Sequence, residues 1–108
     1  MTQFTDTLDR LAATVASRKG ADPSTSYTAR LLAAGPHAAA KKLGEEAVET
    51  ALAAVLGDKD AIAAESADLI YHWLVLLAAT GVDLDAVAAK LEAREGRSGL
   101  EEKAGRPA

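Results

Sequence analysis

One stretch of this chain is apolar on almost every side of the helix that it would form. It runs from Leu69 to Leu77, is interrupted only by Tyr71 and His72, and contains Trp73, which we predict to lie in the core. A helix that is apolar all round must be buried on all sides, and a chain of 108 residues has too few other helices to surround it. We therefore predict an all-α fold in which antiparallel helical hairpins form a four-helix-bundle core, completed by dimerisation into an obligate homodimer.

The composition is typical of a single soluble domain in the cytoplasm. Hydrophobic residues make up 49% of the chain but aromatic residues only 4%, because alanine, the best helix former, supplies much of the remainder. The longest apolar run, residues 69–79, is too short to cross a bilayer, and residues 1–18 lack the features of a secretory signal. The net charge is −4 and no basic patch with interleaved aromatic residues is visible, so we expect neither nucleic acid nor a membrane as a partner.

Turn and capping residues divide the chain into five predicted helices. They cover residues 2–17, 27–34, 36–56, 59–79 and 84–95. Gly57 and Gly81 are suited to the ends of two of these helices, and Asp83 to the start of the last one. We predict one all-α domain, residues 1–95, and a polar basic tail, residues 96–108, which is either solvated or ordered over a ligand.

Two clusters of carboxylates lie on successive predicted helices. Glu45, Glu46 and Glu49 fall within one helical turn, and Glu65 and Asp68 are three residues apart on the next helix. Like charges at this spacing destabilise a helix by about 0.2–0.5 kcal/mol per pair, so both clusters need a compensating partner. The tight turn between the two helices makes them antiparallel and places the clusters at the same height, where they would face each other.

Facing carboxylates are hard oxygen ligands of the kind that Mg²⁺ or Mn²⁺ prefers. Mg²⁺ in such sites keeps several waters and typically bridges to substrate phosphates, so the clusters indicate chemistry on a phosphate chain. The chain has no glycine-rich phosphate-binding loop, which argues against a P-loop enzyme. The competing interpretation is an acidic helix face that is simply solvated.

The same residues resemble a known group of enzymes. The pattern Glu45-Glu46-x-x-Glu49 followed by Glu65-x-x-Asp68 looks like the signature of the MazG-like all-α nucleoside-triphosphate pyrophosphohydrolases. The flanking segments are similar to the phosphoribosyl-ATP pyrophosphohydrolase family of histidine biosynthesis, so that the resemblance covers nearly the whole chain. These segments are Ser26–Leu32, Lys41–Glu49, Ala67–Leu77 and, in the tail, Arg97–Lys103.

The resemblance implies a reaction, a cofactor and a set of site residues. The reaction is hydrolysis of 1-(5-phosphoribosyl)-ATP to 1-(5-phosphoribosyl)-AMP and pyrophosphate with Mg²⁺, for which Mn²⁺ is a possible substitute. Glu46, Glu49, Glu65 and Asp68 match the metal-ligand positions. Glu45 matches the remaining acidic position, where it would bind a second metal or orient water as a general base. The implied catalytic set is therefore Glu45, Glu46 and Glu49.

Seven further residues are candidates for contact with the substrate, each with a simpler structural explanation. Lys41 and Lys42 would neutralise phosphates, or would only compensate the glutamates one turn away. The other candidates are Tyr27, Arg30, His72, Arg97 and Lys103. For Tyr27 and Arg30, the alternative is that they pack a short helix against the bundle. His72 would instead be a hydrogen-bonded histidine at the subunit interface, and Arg97 and Lys103 would belong to a solvated tail.

Two rival functions stay open from the sequence. One is a house-cleaning pyrophosphohydrolase that acts on non-standard or deoxy nucleotides with the same fold and metal. The other is a non-catalytic helical dimerisation module with an incidental acidic face. A substrate panel separates the first rival from the leading hypothesis, and the effect of Mg²⁺ on thermal stability separates the second.

Overall fold

The structure of the chain is a computed structural model that describes residues 2–96. Within this range the chain forms five α-helices and no strand. The helices are α1 (Gln3–Ser17), α2 (Tyr27–Ala34), α3 (Pro36–Leu56), α4 (Lys59–Thr80) and α5 (Leu84–Arg94). The predicted all-α fold is confirmed. The tail residues Arg97 and Lys103, predicted to contact the substrate, lie outside the described residues.

Polar side chains begin four of the helices. Thr2 caps α1, and its side chain accepts a hydrogen bond from a backbone N–H of the first turn. Ser26, Asp58 and Asp83 cap α2, α4 and α5 in the same way. Caps of this kind contribute roughly 1 kcal/mol each. The remaining helix, α3, begins at Pro36, whose missing N–H would have no helical partner in the first turn anyway.

The centre of the molecule is a long antiparallel hairpin made of α3 and α4. Gly57 ends α3 with a φ of 73°, a left-handed conformation that glycine adopts without steric cost. Asp58 then caps α4, so the chain reverses within two residues and the two helices pack along their lengths. α1 packs on α4, and α2 packs on both helices of the hairpin.

The buried core is small and lies where α1 and α2 meet the hairpin. It consists of Val15, Leu31, Ala39, Leu74 and Val75. Trp73, predicted to lie in the core, is only partly buried and packs against the edge of this cluster. α5 contributes no buried side chain. A single chain therefore buries little apolar surface among its described residues.

Two apolar surfaces of the hairpin are left uncovered by the described part of the chain. We call the first the α3 ridge; its members are 57% to 83% exposed, and they are Val48, Leu52, Val55 and Leu56. We call the second the α4 face; it is a shallow depression lined by Leu43, Leu69, Ile70 and Trp73. Both surfaces run along the outside of the hairpin, where another molecule can reach them.

α4 is long and apolar enough, by length and composition, to cross a membrane, and it is the one helix of residues 2–96 with this property. The central helix of a soluble bundle passes the same test. α4 also carries the half-buried Glu65 and the exposed Asp68, and charged groups are costly inside a bilayer. Only 17% of its most apolar window is buried within one chain.

Candidate active site

Three carboxylates from two helices converge on one side of the hairpin. Glu46 and Glu49 lie one turn apart on α3, and Glu65 lies on α4. One carboxylate oxygen from each residue lies within 4.8 Å of the other two. The spacing on α3 puts the first two side chains on one face, and the antiparallel packing brings the third to the same height.

This cluster is buried at one end and open at the other. Glu46 is 8% exposed, whereas Glu49 is exposed and Glu65 is half-buried. The Oε2 atoms of Glu46 and Glu65 are buried and have no hydrogen-bond partner in the described part of the chain. Buried polar atoms without a partner are costly, so these two oxygens indicate a site built for a ligand with positive charge.

The crowding raises the pKa of two members of the cluster. Burial, followed by the neighbouring Glu49 carboxyl group, raises the pKa of Glu46. Hydrogen bonding with Glu49, followed by burial, raises the pKa of Glu65. Each group is therefore harder to ionise here than in water, and a cation bound among them would reverse the effect.

A hard divalent cation fits this set of donors. The three converging side chains offer only carboxylate oxygens, which are the ligands that Mg²⁺ and Mn²⁺ take in proteins. Glu46, Glu49 and Glu65 would hold such a cation and would leave room on it for water or for phosphate oxygens of a substrate. The donor chemistry thus agrees with the cation predicted from the sequence.

The two remaining predicted acids lie at the border of the cluster. Asp68 is exposed, one turn after Glu65 on α4, and its charge contributes to the raised pKa of both Glu46 and Glu65. Asp68 is outside the group of three converging carboxylates. Glu45 pairs instead with Lys42, with a distance of 3.6 Å between the carboxylate oxygen Oε2 and the lysine nitrogen.

Lys42 and Tyr27 lie together at the rim of the acidic cluster. The negative charge of Tyr27 in its ionised form, followed by that of the Glu45 carboxylate, raises the pKa of Lys42, so the three groups are close in space. Tyr27 is 52% exposed, which leaves its ring available to a ligand. The rim therefore combines a fixed positive charge with an accessible aromatic surface.

His72 lies against the cluster from α4. The residue is 6% exposed, and its Nε2 is 3.9 Å from Oε1 of Glu46. Burial, followed by the positive charge of Lys42, lowers the pKa of His72, so the imidazole is neutral at physiological pH. This degree of burial leaves little of the histidine surface for contact with a substrate.

One contact next to the site has no counterpart in the sequence analysis. The hydroxyl groups of Thr28 and Tyr71 share a hydrogen bond of 2.5 Å that ties α2 to α4 and so holds the start of α2, including Tyr27, in place. The two residues are 43 positions apart, and no local pattern relates them.

Two of the residues predicted to contact the substrate lie elsewhere on the surface. Lys41 is exposed, and Arg30 donates a hydrogen bond to a backbone carbonyl of the loop before α2.

The fold and the site together define a class of protein. An all-α chain with Glu-Glu-x-x-Glu on one helix and Glu-x-x-Asp on its antiparallel neighbour has the features of the MazG-like all-α pyrophosphohydrolases. Within this class, the model of the family described as phosphoribosyl-ATP pyrophosphohydrolase matches residues 8–95.

Similar proteins carry the corresponding name. Proteins called phosphoribosyl-ATP pyrophosphatase from Caulobacter vibrioides, Caulobacter sp. strain K31 and Parvibaculum lavamentivorans are 69%, 65% and 64% identical to this chain. The alignments cover 96%, 99% and 92% of this chain and 96%, 99% and 91% of the relatives. The chain belongs to the phosphoribosyl-ATP pyrophosphohydrolase family. The predicted family, and with it the class of hydrolases that release pyrophosphate, is confirmed.

Proposed function

We propose that this protein hydrolyses 1-(5-phosphoribosyl)-ATP to 1-(5-phosphoribosyl)-AMP and pyrophosphate, as a step of histidine biosynthesis. Family membership supports the choice of substrate. The location of the active site is supported by the convergence of Glu46, Glu49 and Glu65, whose carboxylate oxygens lie within 4.8 Å of one another. The carboxylate motifs and their flanking segments predict the same reaction.

Mg²⁺ is the cofactor that we assign to this site, with Mn²⁺ as a substitute. The phosphate chain of the substrate is strongly anionic, so a bare acidic cluster would repel it. Glu46, Glu49 and Glu65 would hold the cation, and Asp68 at the border would complete the set. When bound, the ion supplies charge neutralisation and Lewis-acid polarisation of the phosphoryl oxygens.

The residues at the rim of the acidic cluster contact the substrate and the attacking water. Lys42 binds a phosphate oxygen of the substrate as a point charge. Glu45, whose side chain is 44% exposed, accepts a proton from the water that attacks the α-phosphorus, and the bond to the β-phosphate breaks. The exposed ring of Tyr27 offers a surface on which the adenine base stacks.

The test of this function is a product assay with the purified protein. Phosphoribosyl-ATP is incubated with and without Mg²⁺, and both products are identified by chromatography. We expect cleavage that depends on Mg²⁺, with a kcat/KM about 100-fold above the values for dUTP, dCTP and ITP. Preferential cleavage of one of these three nucleotides would instead support a house-cleaning enzyme and overturn the assignment.

Matched variants show whether the activity arises at the proposed site. Glu49→Gln keeps the size of the side chain and removes one negative charge from the cluster, so we expect activity to fall by roughly 100-fold or more. Glu92→Gln makes the same change on α5, at an exposed position away from the cluster, and should retain wild-type activity. Equal activity of the two variants would place the reaction elsewhere.

We also infer that the protein is a homodimer in which the partner subunit covers the α4 face. The face is apolar, and only 17% of the most apolar window of α4 is buried within one chain. The core of one chain is too small to account for such an apolar helix on its own. A dimer of this kind would work in the cytoplasm on a soluble nucleotide, without a membrane or nucleic acid as partner.

A further inference from the structure

The side chains of His72 and Glu46 meet in the interior of the hairpin. His72 lies two turns after Glu65 on α4, and Glu46 is on the facing side of α3. Nε2 of the histidine is 3.9 Å from Oε1 of the glutamate, and the two side chains are 7% and 11% exposed. This separation is longer than a hydrogen bond, and a shift of about 1 Å by either side chain would close it.

Both side chains have unmet hydrogen-bonding capacity. Nδ1 of His72 and Oε2 of Glu46 are buried without a partner among residues 2–96. The imidazole also lies against the ring of Tyr71, in a T-shaped arrangement at a centroid distance of 4.9 Å. An aromatic ring offers no strong acceptor, whether by its face or by its edge. Glu46 is therefore the carboxyl group nearest to a ring nitrogen of His72 among residues 2–96.

We propose that His72 is a positioning residue, which donates a hydrogen bond from Nε2 to Oε1 of Glu46 and thereby presents Oε2 to the cation. The proposal rests on the proposed function, because it needs the cation site among Glu46, Glu49 and Glu65. It replaces direct contact between His72 and the substrate, since a residue that is 6% exposed has almost no surface to offer.

The physical basis is the fixed orientation of a ligand. A carboxylate on a long glutamate side chain has several rotamers, and binding a cation through it requires one of them. A hydrogen bond to the oxygen that does not bind the cation holds that rotamer before the cation arrives. Residues in this role typically change metal affinity or activity by roughly 10- to 100-fold when they are replaced.

Three substitutions at position 72 distinguish this role from simple packing. His72→Gln keeps an N–H donor at nearly the distance of Nε2 from the backbone. His72→Asn keeps a donor but places it near the position of Nδ1, which is too short to reach Glu46. His72→Leu fills a similar volume and has no donor. His37→Leu, at an exposed position in the first turn of α3, is the control.

The measurement is Mn²⁺ binding to the full chain, by calorimetry and by electron paramagnetic resonance of the free ion. We expect the Gln variant to bind within about threefold of wild type, and the Asn and Leu variants to bind about 10- to 100-fold more weakly. Circular dichroism identifies folded variants. If the Leu variant does not fold, the comparison of Gln with Asn still decides the question.

Two results would overturn the proposal in different ways. If all three variants bind Mn²⁺ with wild-type affinity, or if all three lose it equally, then His72 does not act through a directed hydrogen bond. If the wild-type protein itself neither binds Mn²⁺ nor cleaves phosphoribosyl-ATP, the proposed function fails, and this inference fails with it. Cleavage by wild type together with equal binding by the variants removes the inference alone.

Discussion

The hydroxyl groups of Thr28 on α2 and Tyr71 on α4 are 2.5 Å apart and join two helices that also share the apolar core. The bond is partly buried. The rim residue Tyr27 precedes Thr28 in the chain, and the buried His72 follows Tyr71. The stability of α2 and the geometry of the rim therefore depend on the same interaction.

Loss of this hydrogen bond should destabilise the protein. Tyr71→Phe removes the phenolic hydroxyl and leaves the Thr28 hydroxyl partly buried without its partner. We expect the free energy of unfolding to fall by about 1–2 kcal/mol in urea denaturation. Tyr27→Phe removes a hydroxyl from an exposed ring and should change the free energy by less than about 0.5 kcal/mol. Equal effects of the two substitutions would contradict the structure.

Without metal, stability should reflect the crowded carboxyl groups. The pKa values of Glu46 and Glu65 are raised in the folded protein. The stability that these two groups contribute is therefore fully present below a pH of about 4.3, which is the pKa of glutamate in the unfolded chain. It is lost as the pH rises through the pKa values of the folded protein. We expect metal-free Glu65→Gln to be more stable than wild type at neutral pH, with the difference shrinking as the pH falls towards about 4.

This comparison is made by urea denaturation in the presence of a chelator. The lowered pKa of His72 has an effect of the opposite sign. Because the folded protein keeps this imidazole neutral, the protein loses stability as the pH falls through the pKa that histidine has in the unfolded chain. It is present in both proteins and cancels in the difference between them. Glu92→Gln is the control for loss of one charge. A Glu65→Gln variant that is less stable than wild type at neutral pH would show that the carboxylates do not repel one another.

Mg²⁺ should stabilise the folded protein, and more strongly at higher pH. A ligand that binds only the native state adds about 2.7 kcal/mol at 100 times its dissociation constant. Protons compete with the cation for carboxylates whose pKa is raised, so the gain should be larger at pH 8 than at pH 6. Glu49→Gln should abolish most of the gain. If Mg²⁺ has no effect on wild type at either pH, the carboxylates do not form a cation site.

Lys42 should act on the substrate rather than on the metal. Removing its charge by Lys42→Gln leaves the three converging carboxylates in place, so we expect kcat/KM to fall about tenfold, the kinetic equivalent of about 1.4 kcal/mol, while Mn²⁺ affinity stays within about threefold. Lys41→Gln, on the neighbouring exposed position, should have the smaller effect on kcat/KM. The reverse order would assign the phosphate contact to Lys41.

A charge on the α4 face should dissociate the proposed dimer. Leu69→Lys places an ammonium group in the apolar depression beside Trp73, and we expect sedimentation at the mass of one chain at micromolar concentration. Leu91→Lys on α5, where the leucine is 61% exposed, is the matched control and should remain dimeric. Dissociation by Val55→Lys, with Leu69→Lys still dimeric, would move the interface to the α3 ridge. A wild-type protein that sediments as a folded monomer would remove the dimer altogether.

The bounds of the helices were predictable from sequence because their causes are local. Ser26, Asp58 and Asp83 each satisfy a backbone N–H within the first turn of the helix that they begin, and Gly57 ends α3 by a conformation that other residues rarely adopt. The meeting of Glu46, Glu49 and Glu65 was also predictable. Its causes are helical periodicity and one tight turn, and both can be read from neighbouring residues.

The roles of adjacent glutamates depend on tertiary packing. The spacing of the acids does not by itself separate Glu45 from Glu46, and only the resemblance to a family assigned them different roles. The structure buries Glu46 and leaves Glu45 paired with Lys42 at the rim. The buried positions of α3 repeat every seven residues, with small alanines at Ala39 and Ala53 on either side of Glu46. These buried positions mark the side of α3 that faces inward. Successive residues differ by about 100° around a helix, so Glu46 lies on that side and Glu45 does not.

Contacts between distant parts of the chain were decided only by the tertiary structure. The Thr28–Tyr71 hydrogen bond and the approach of His72 to Glu46 join residues that no periodic pattern relates. The partial exposure of Trp73 has the same origin, since burial depends on which surfaces pack against a helix and not on its own composition. Local sequence determined the helices and the height of the acids along them, whereas packing determined which side chains meet, because the rotation of each helix is set by all of its neighbours at once.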